Sequence, residues 1–175
     1  MHFKIFKYYF INSFDTNNLK KQDKETIIIY RNYSSKNVDI TKLIKLKNFL
    51  RKKGNKLFIA NNFKLALKLG LDGAYIPSFN KEFYHLAYST AVNFEIIGSA
   101  HNLKEIRTKE TQKVQKIFIS SLFKKNKNYL GINKFKILKK FTKKEVIALG
   151  GISSRNIKKI HLAKISSIAG ISYFK

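Results

Sequence analysis

One pattern constrains this chain above all others: short β-branched and aromatic runs alternate with amphipathic Lys/Leu/Ile stretches along its whole length. The runs predict strands at Tyr8–Asn12, Thr26–Arg31, Lys56–Asn61, Gly73–Pro77, Phe94–Ser99, Val114–Ser120, Glu145–Gly150 and Ser167–Ser172. Several are almost continuously apolar, as in IIIY, LFIA and VIAL, which is how strands buried on both faces of a parallel sheet read. The intervening stretches predict helices. Thr41–Lys53 sets Leu43, Ile44, Leu46, Phe49 and Leu50 at helical spacing, with Gly54 as the stop. Phe63–Leu69 is a short helix closed by Gly70, and Asn102–Gln112 opens with Asn102 and Glu105 in a capping-box spacing. Ile132–Phe141 and Ser153–Ala163 complete the series, the last with Ser153 and Ser154 as cap candidates.

Strand–helix units repeated in this way call for a parallel sheet with right-handed crossovers. Eight candidate strands point to an α/β fold of the (β/α)8 TIM-barrel type. At 175 residues the chain is short for one, since such barrels typically take about 250 residues. The shortage can be located. Ser13–Glu25 is too polar for a good first helix, and no helical stretch follows the last strand. The expectation is a single domain over residues 1–175, with a reduced first helix and no final helix. A bare barrel wall at the missing helix would invite a second copy of the chain, so a homodimer is expected there.

Composition narrows the partners. The formal charge is +26, yet of 36 basic residues only Arg31, Arg51, Arg107 and Arg155 are arginine, the residue preferred for bidentate phosphate and base contacts. The lysines are spread along the chain rather than gathered in one arm. They read as a solvated surface rather than a dedicated nucleic-acid site, with salt-sensitive sticking to polyanions expected in either case. Cysteine is absent, which removes disulfides, thiolate nucleophiles and cysteine-held metals together. No apolar run approaches the roughly 20 residues that cross a bilayer, and Met1–Phe10 lacks a cleavage-site pattern. A cytoplasmic protein without membrane contact is the expectation.

In such a barrel, chemistry belongs to the C-terminal ends of the strands. Strand seven runs into Gly150-Gly151-Ile152-Ser153, and strand eight ends Gly170-Ile171-Ser172. Glycines let a backbone approach an anion closely, and a helix start offers unpaired N–H groups. These are either tight turns or a phosphate cradle, and their place on adjacent strands favours the cradle. Strand five closes with Gly98-Ser99-Ala100-His101. Ser99 could donate to a substrate oxygen. His101 could act as an acid or base, or simply cap the following helix. His2, His85 and His161 show no partner spacing.

These strand ends, in this order, resemble the thiamine phosphate synthase/TenI family over roughly Tyr8 to Phe174. The carrying segments are LFIANNFKLALKLGLDGAYI (Leu57–Ile76), IIGSAHNLKEI (Ile96–Ile106), VIALGGISSRNIKKI (Val146–Ile160) and IAGIS (Ile168–Ser172). The resemblance implies an enzyme that joins a pyrimidine diphosphate to a thiazole phosphate and releases diphosphate with Mg²⁺ assistance. It also implies roles for individual residues. Arg31 would contact diphosphate, with Asn61 and Ser99 beside it. Gly150, Ile171 and Ser172, with Gly151 in the same turn, would cradle the thiazole phosphate. Departures from the family pattern are specific. Ile29 and Tyr33 replace the glutamine and lysine flanking the arginine, and Asn62 and Asn80 stand where the family has its two metal-binding aspartates. The family's lysine-bearing loop after strand six corresponds loosely to Leu122–Lys127, so Lys124, Lys125 and Lys127 are candidate diphosphate counter-charges. The proposed tautomerase histidine of TenI-type members falls near Ser121. Three readings follow: a divergent synthase; a TenI-like thiazole tautomerase (using a residue such as His101) or an inactive phosphate-ligand binder; and, from another class, a basic nucleic-acid-associated protein.

Overall fold

The computed structural model describes residues 4–31 and 38–175. Eight parallel strands close into one barrel in chain order: β1 (Phe6–Ile11), β2 (Ile27–Tyr30), β3 (Leu57–Ala60), β4 (Gly73–Ile76), β5 (Glu95–Ala100), β6 (Lys116–Ser120), β7 (Glu145–Leu149) and β8 (Ser167–Gly170). Closure is made by β1 against β8, with Tyr8 opposite Ala169 and Tyr9 opposite Gly170. Among the described residues six α-helices lie outside: α1 (Thr16–Lys21), α2 (Ile40–Lys53), α3 (Phe63–Lys68), α4 (Leu103–Thr111), α5 (Gly131–Lys140) and α6 (Ile157–Leu162). No described helix is long and apolar enough to cross a membrane.

Alternation along each strand divides the core in two. Residues pointing outward meet the helices, as where Leu43, Leu46 and Leu50 of α2 join Ile28, Leu57 and Ile59. Residues pointing inward fill the lumen: Tyr8, Phe10, Ile29, Phe58, Tyr75, Ile97, Phe118, Ile147 and Ala169. Phe10, Tyr75 and Phe118 meet edge-on or tilted at centroid distances of 5.2–5.5 Å. The barrel is therefore a packed core closed by an aromatic plug. Its lower mouth is ionic. Lys116 Nζ lies 2.9 Å from Glu95 and 3.4 Å from Glu145, and it donates to Tyr8 Oη at 3.0 Å. Burial opposes the Lys116 charge, but Glu95 and Tyr8 outweigh it and hold the ammonium above the usual lysine range.

The polar Ser13–Glu25 stretch does form a helix, α1, but only six residues long and burying only Leu19. Asp15 starts it by accepting from the N–H groups of Asn17 and Asn18. Between β4 and β5 a single 3-10 turn at Tyr84–Ala87 stands in place of a helix. The expectation of a bare wall beside β1 and β8 is corrected here. After β8 the chain turns, and Phe174 stacks on Tyr9 at 4.8 Å. Asn18 and Gln22 donate to the Phe174 carbonyl at 3.2 and 3.0 Å. Tyr9 is left only 5% exposed, so the wall is covered from within the chain.

Candidate functional site

The β6–β8 side of the upper rim is built by backbone geometry. Gly150 and Gly151 have φ of 102° and 72°, values that a side chain resists. Space forbids one as well, since a Cβ on Gly151 would fall 2.4 Å from Lys124 N, and one on Gly150 would fall 2.6 Å from Ser121 Oγ. The reason is close docking of the β6 loop. Phe123 and Lys124 donate their N–H groups to Gly150 O at 2.8 and 3.4 Å, and Ser121 Oγ donates to Lys124 O. Lys124, Lys125 and Lys127, all exposed, are thus carried to the edge of the glycine turn. From the other side Asn156 Nδ2 donates to Gly151 O at 2.8 Å.

The helix expected over Ser153–Ala163 is a 3-10 turn, Ser154–Asn156, followed by the six residues of α6. The Ser153 N–H is already taken by Asn156 Oδ1 at 3.0 Å. The expected helix start thus offers no free N–H at Ser153, and the glycine turn and the lysine loop are the features that meet at this part of the rim. Ile171 packs against the lumen cluster and Ser172 is exposed at the rim. A cavity of about 440 Å³ opens beside them, lined by Phe10, Asn12, Asp15, Asn18, Ile171 and Lys175 among others.

The β2–β5 side is built by side chains. Arg31 leaves β2 with its N–H on Ile11 O at 2.7 Å, and its guanidinium lies 5.5 Å from the Phe10 ring. Asn61, at φ 56°, accepts at Oδ1 from Asn80 Nδ2 at 2.6 Å. Asn80 Oδ1 in turn accepts from Glu82 N. Asn62 faces away and caps α3 by accepting from Leu65 N at 3.1 Å. Ser99 sits below the rim, 3% exposed, and accepts from Tyr75 Oη at 2.8 Å. His101 is tied to Glu105, whose Oε2 takes the His101 backbone N–H at 2.8 Å and lies 2.9 Å from Nδ1. The residues at the matched metal positions do not fit a carboxylate-held Mg²⁺. Both are neutral, Asn62 is spent on a helix cap, and Asn80 has both ends of its amide engaged. Among the described residues no group of three or more His, Asp or Glu could hold a metal ion. Tyr33 and His2 lie outside the described residues.

Three residues were missed from sequence. Tyr75 forms the site's floor and Asn156 pins the glycine turn, but both look like ordinary strand or helix-start residues. Lys109 carried a signal, because it stands three residues after Ile106 on the inner face of α4, where both are fully buried.

Fold and rim together define a (β/α)8 barrel whose candidate site gathers at the C-terminal ends of its strands. Within that class the chain belongs to the thiamine monophosphate synthase family, whose model matches residues 18–174. It is 25% identical over 139 residues to a thiamine-phosphate synthase of Methanococcus maripaludis, a match spanning 75% of this chain and 67% of that one. A thiamine-phosphate synthase of Methanococcus vannielii is 32% identical over 82 residues, which is 44% of this chain but only 40% of that enzyme. The fold superposes on a thiamine phosphate pyrophosphorylase from Pyrococcus furiosus with a TM-score of 0.71 at 21% identity, covering 95% of this chain and 85% of that one.

Proposed function

We propose that this chain is a divergent thiamine phosphate synthase, joining a pyrimidine carried on diphosphate to a thiazole phosphate. The observation that supports this most is the docking of the lysine-bearing loop after β6 onto the Gly150–Gly151 turn, through the N–H groups of Phe123 and Lys124. In the reaction the thiazole nitrogen forms a bond to the pyrimidine CH₂ carbon while that carbon's bond to the diphosphate oxygen breaks. Charge develops on the departing diphosphate, so catalysis consists of holding the two substrates in line and neutralising that charge. Arg31 and Lys124, Lys125 and Lys127 would face the diphosphate. Gly150, Gly151, Ile171 and Ser172 would hold the thiazole phosphate, with Asn61 and Ser99 between the two. The positions that match the family's metal ligands hold amides, so charge neutralisation falls to the chain's own cations in this reading.

A direct assay tests this. Purified protein is mixed with the pyrimidine diphosphate and thiazole phosphate, with and without Mg²⁺, and thiamine phosphate is read by mass spectrometry. Product that falls at least about tenfold in Arg31→Ala and Ser172→Glu upholds the reading. No product from folded protein would overturn it in favour of a second reading, an inactive binder of phosphorylated ligands. Asn80, which stands where the family has a carboxylate and is held in an amide bridge with Asn61, favours that second reading.

A further inference from the structure

Residues 77–94 join β4 to β5 without an α-helix, and this long connection carries Asn80 to the rim. What holds it is a buried cation. Lys109 of α4 is 0% exposed, and its stem lies against Gly98, where a Cβ would fall 2.7 Å from Lys109 Cδ. Its ammonium donates to Pro77 O at 2.9 Å, Asn80 O at 2.7 Å and Gln112 Oε1 at 2.8 Å. Three N–H bonds thus meet three acceptors. Gln112 extends the clamp, donating from Nε2 to Asn80 O at 3.2 Å and Glu82 O at 2.8 Å. Its own carbonyl lies 2.8 Å from His85 Nε2, so that ring nitrogen carries the proton. From the loop, Asn80 reaches Asn61 and so joins the ends of β4 and β3.

A buried ammonium is expensive, and an apolar side chain of similar length would suit this position better on stability alone. Burial pulls the Lys109 pKa down to about 8, with Glu105 opposing the fall. The lysine's compensation is a fixed loop, and that loop carries Asn80, which stands at one of the family's two metal-ligand positions and is bound here to Asn61.

We propose that Lys109 is the positioning residue of this rim. It cross-links the ends of β3 and β4 from inside the protein, through Asn80 and Asn61, so that diphosphate binds here without a divalent cation. This rests on the reading of the rim as an anion site and extends it to how the site is assembled. Lys109 does not touch the ligand. It acts through the loop.

The test is titration of inorganic diphosphate into the full chain by calorimetry, in Mg²⁺ and in EDTA, for the wild type, Lys109→Met and Gln112→Met. The wild type is expected to bind equally in both buffers. Lys109→Met is expected to keep its circular dichroism and a cooperative melt, yet bind about tenfold more weakly in either buffer, as when a supporting contact behind a site is removed. Hydrogen exchange at the Glu82 amide, which faces Asn80 Oδ1, should speed up in the same variant. Gln112→Met keeps the lysine on Pro77 and Asn80 while losing one of its three acceptors and the two amide bonds to the loop, so a smaller loss is expected, and it carries the test if Lys109→Met does not fold. Wild-type binding that collapses in EDTA would overturn the proposal. So would unchanged affinity in both folded variants. A wild type that binds no diphosphate in either buffer would instead remove the anion-site reading, and the proposal with it.

Discussion

On the β7 side of the rim, Gly150 and Gly151 adopt backbone angles and an approach to Lys124 that no other residue could match. On the β3 side, Asn61, Asn80, Gln112 and Lys109 hold their places through side-chain hydrogen bonds running inward to a buried charge. The first half is fixed by sterics, so its shape is independent of pH and salt. The second is fixed by polar groups whose partners must all be present at once. A barrel rim can therefore keep a ligand-facing turn in plain backbone while changing which chemistry braces the opposite side.

Several changes would break or sharpen this contrast. Gly151→Ala should be the most damaging, combining a positive φ with overlap against the Lys124 backbone. A loss of about 3 kcal/mol in denaturant melts is expected, and a loss under about 0.5 kcal/mol would show the turn to be adaptable. Asn62→Asp combined with Asn80→Asp attacks the other half by restoring carboxylates, which are better Mg²⁺ ligands than amides. Diphosphate binding should then gain about tenfold on adding Mg²⁺, where the wild type gains nothing. Titration data without that gain would mean that the β3 side is not laid out for a metal at all.

The pH dependence probes the buried charge itself. Lys109 has a folded pKa of about 8 against an ordinary 10.5, so between these values the unfolded chain binds more protons. Stability should therefore rise with pH across this window and be level below about 8, where folded and unfolded chains both hold the proton. Subtracting the Lys109→Met profile isolates the effect, and a flat difference would contradict it. Smallest of all should be Lys7→Met at the lower mouth, where the half-exposed Lys7–Asp23 pair at 2.9 Å is worth under about 1 kcal/mol. Burial opposes the Asp23 charge, but Lys7 and Thr26 outweigh it and lower its pKa. The pair should therefore persist through the ordinary carboxylate range and fade only at more acidic pH, and diphosphate affinity should not change.

Much of the barrel was legible because period-two and period-3.6 apolar patterns are local. IIIY, LFIA and VIAL declared buried parallel strands, and all eight strands appear within a few residues of their expected places. The connection at residues 77–94 was not legible, since Phe79, Phe83, Tyr84, Leu86 and Tyr88 follow neither period and the loop's anchor lies in a helix about thirty residues onward. The covered wall was missed for a similar reason. Phe174, with Tyr173 against it, covers the wall that was expected to stand bare for want of a final helix. In the site, the glycine turn could be read from sequence because its constraint lies in its own backbone. Its contact with Lys124 could not, because that contact joins residues distant in the chain. The neutral character of Asn62 and Asn80 was plain, but only coordinates show that Asn61, not Asn62, meets Asn80.

The pairing of β1 with β8 has a consequence for how the protein is made. β1 leaves the ribosome well before its partner, which follows about 160 residues later in the chain. At about 5–20 residues per second, this leaves roughly ten to thirty seconds in which FKYYFI has an open hydrogen-bonding edge and aromatic side chains without a lid. The nascent chain gathers its lysines steadily across that interval. Mutual repulsion between unfinished copies then guards against the edge-to-edge aggregation that such a strand invites, so the charge that looks excessive on the finished barrel would serve the chain before it closes.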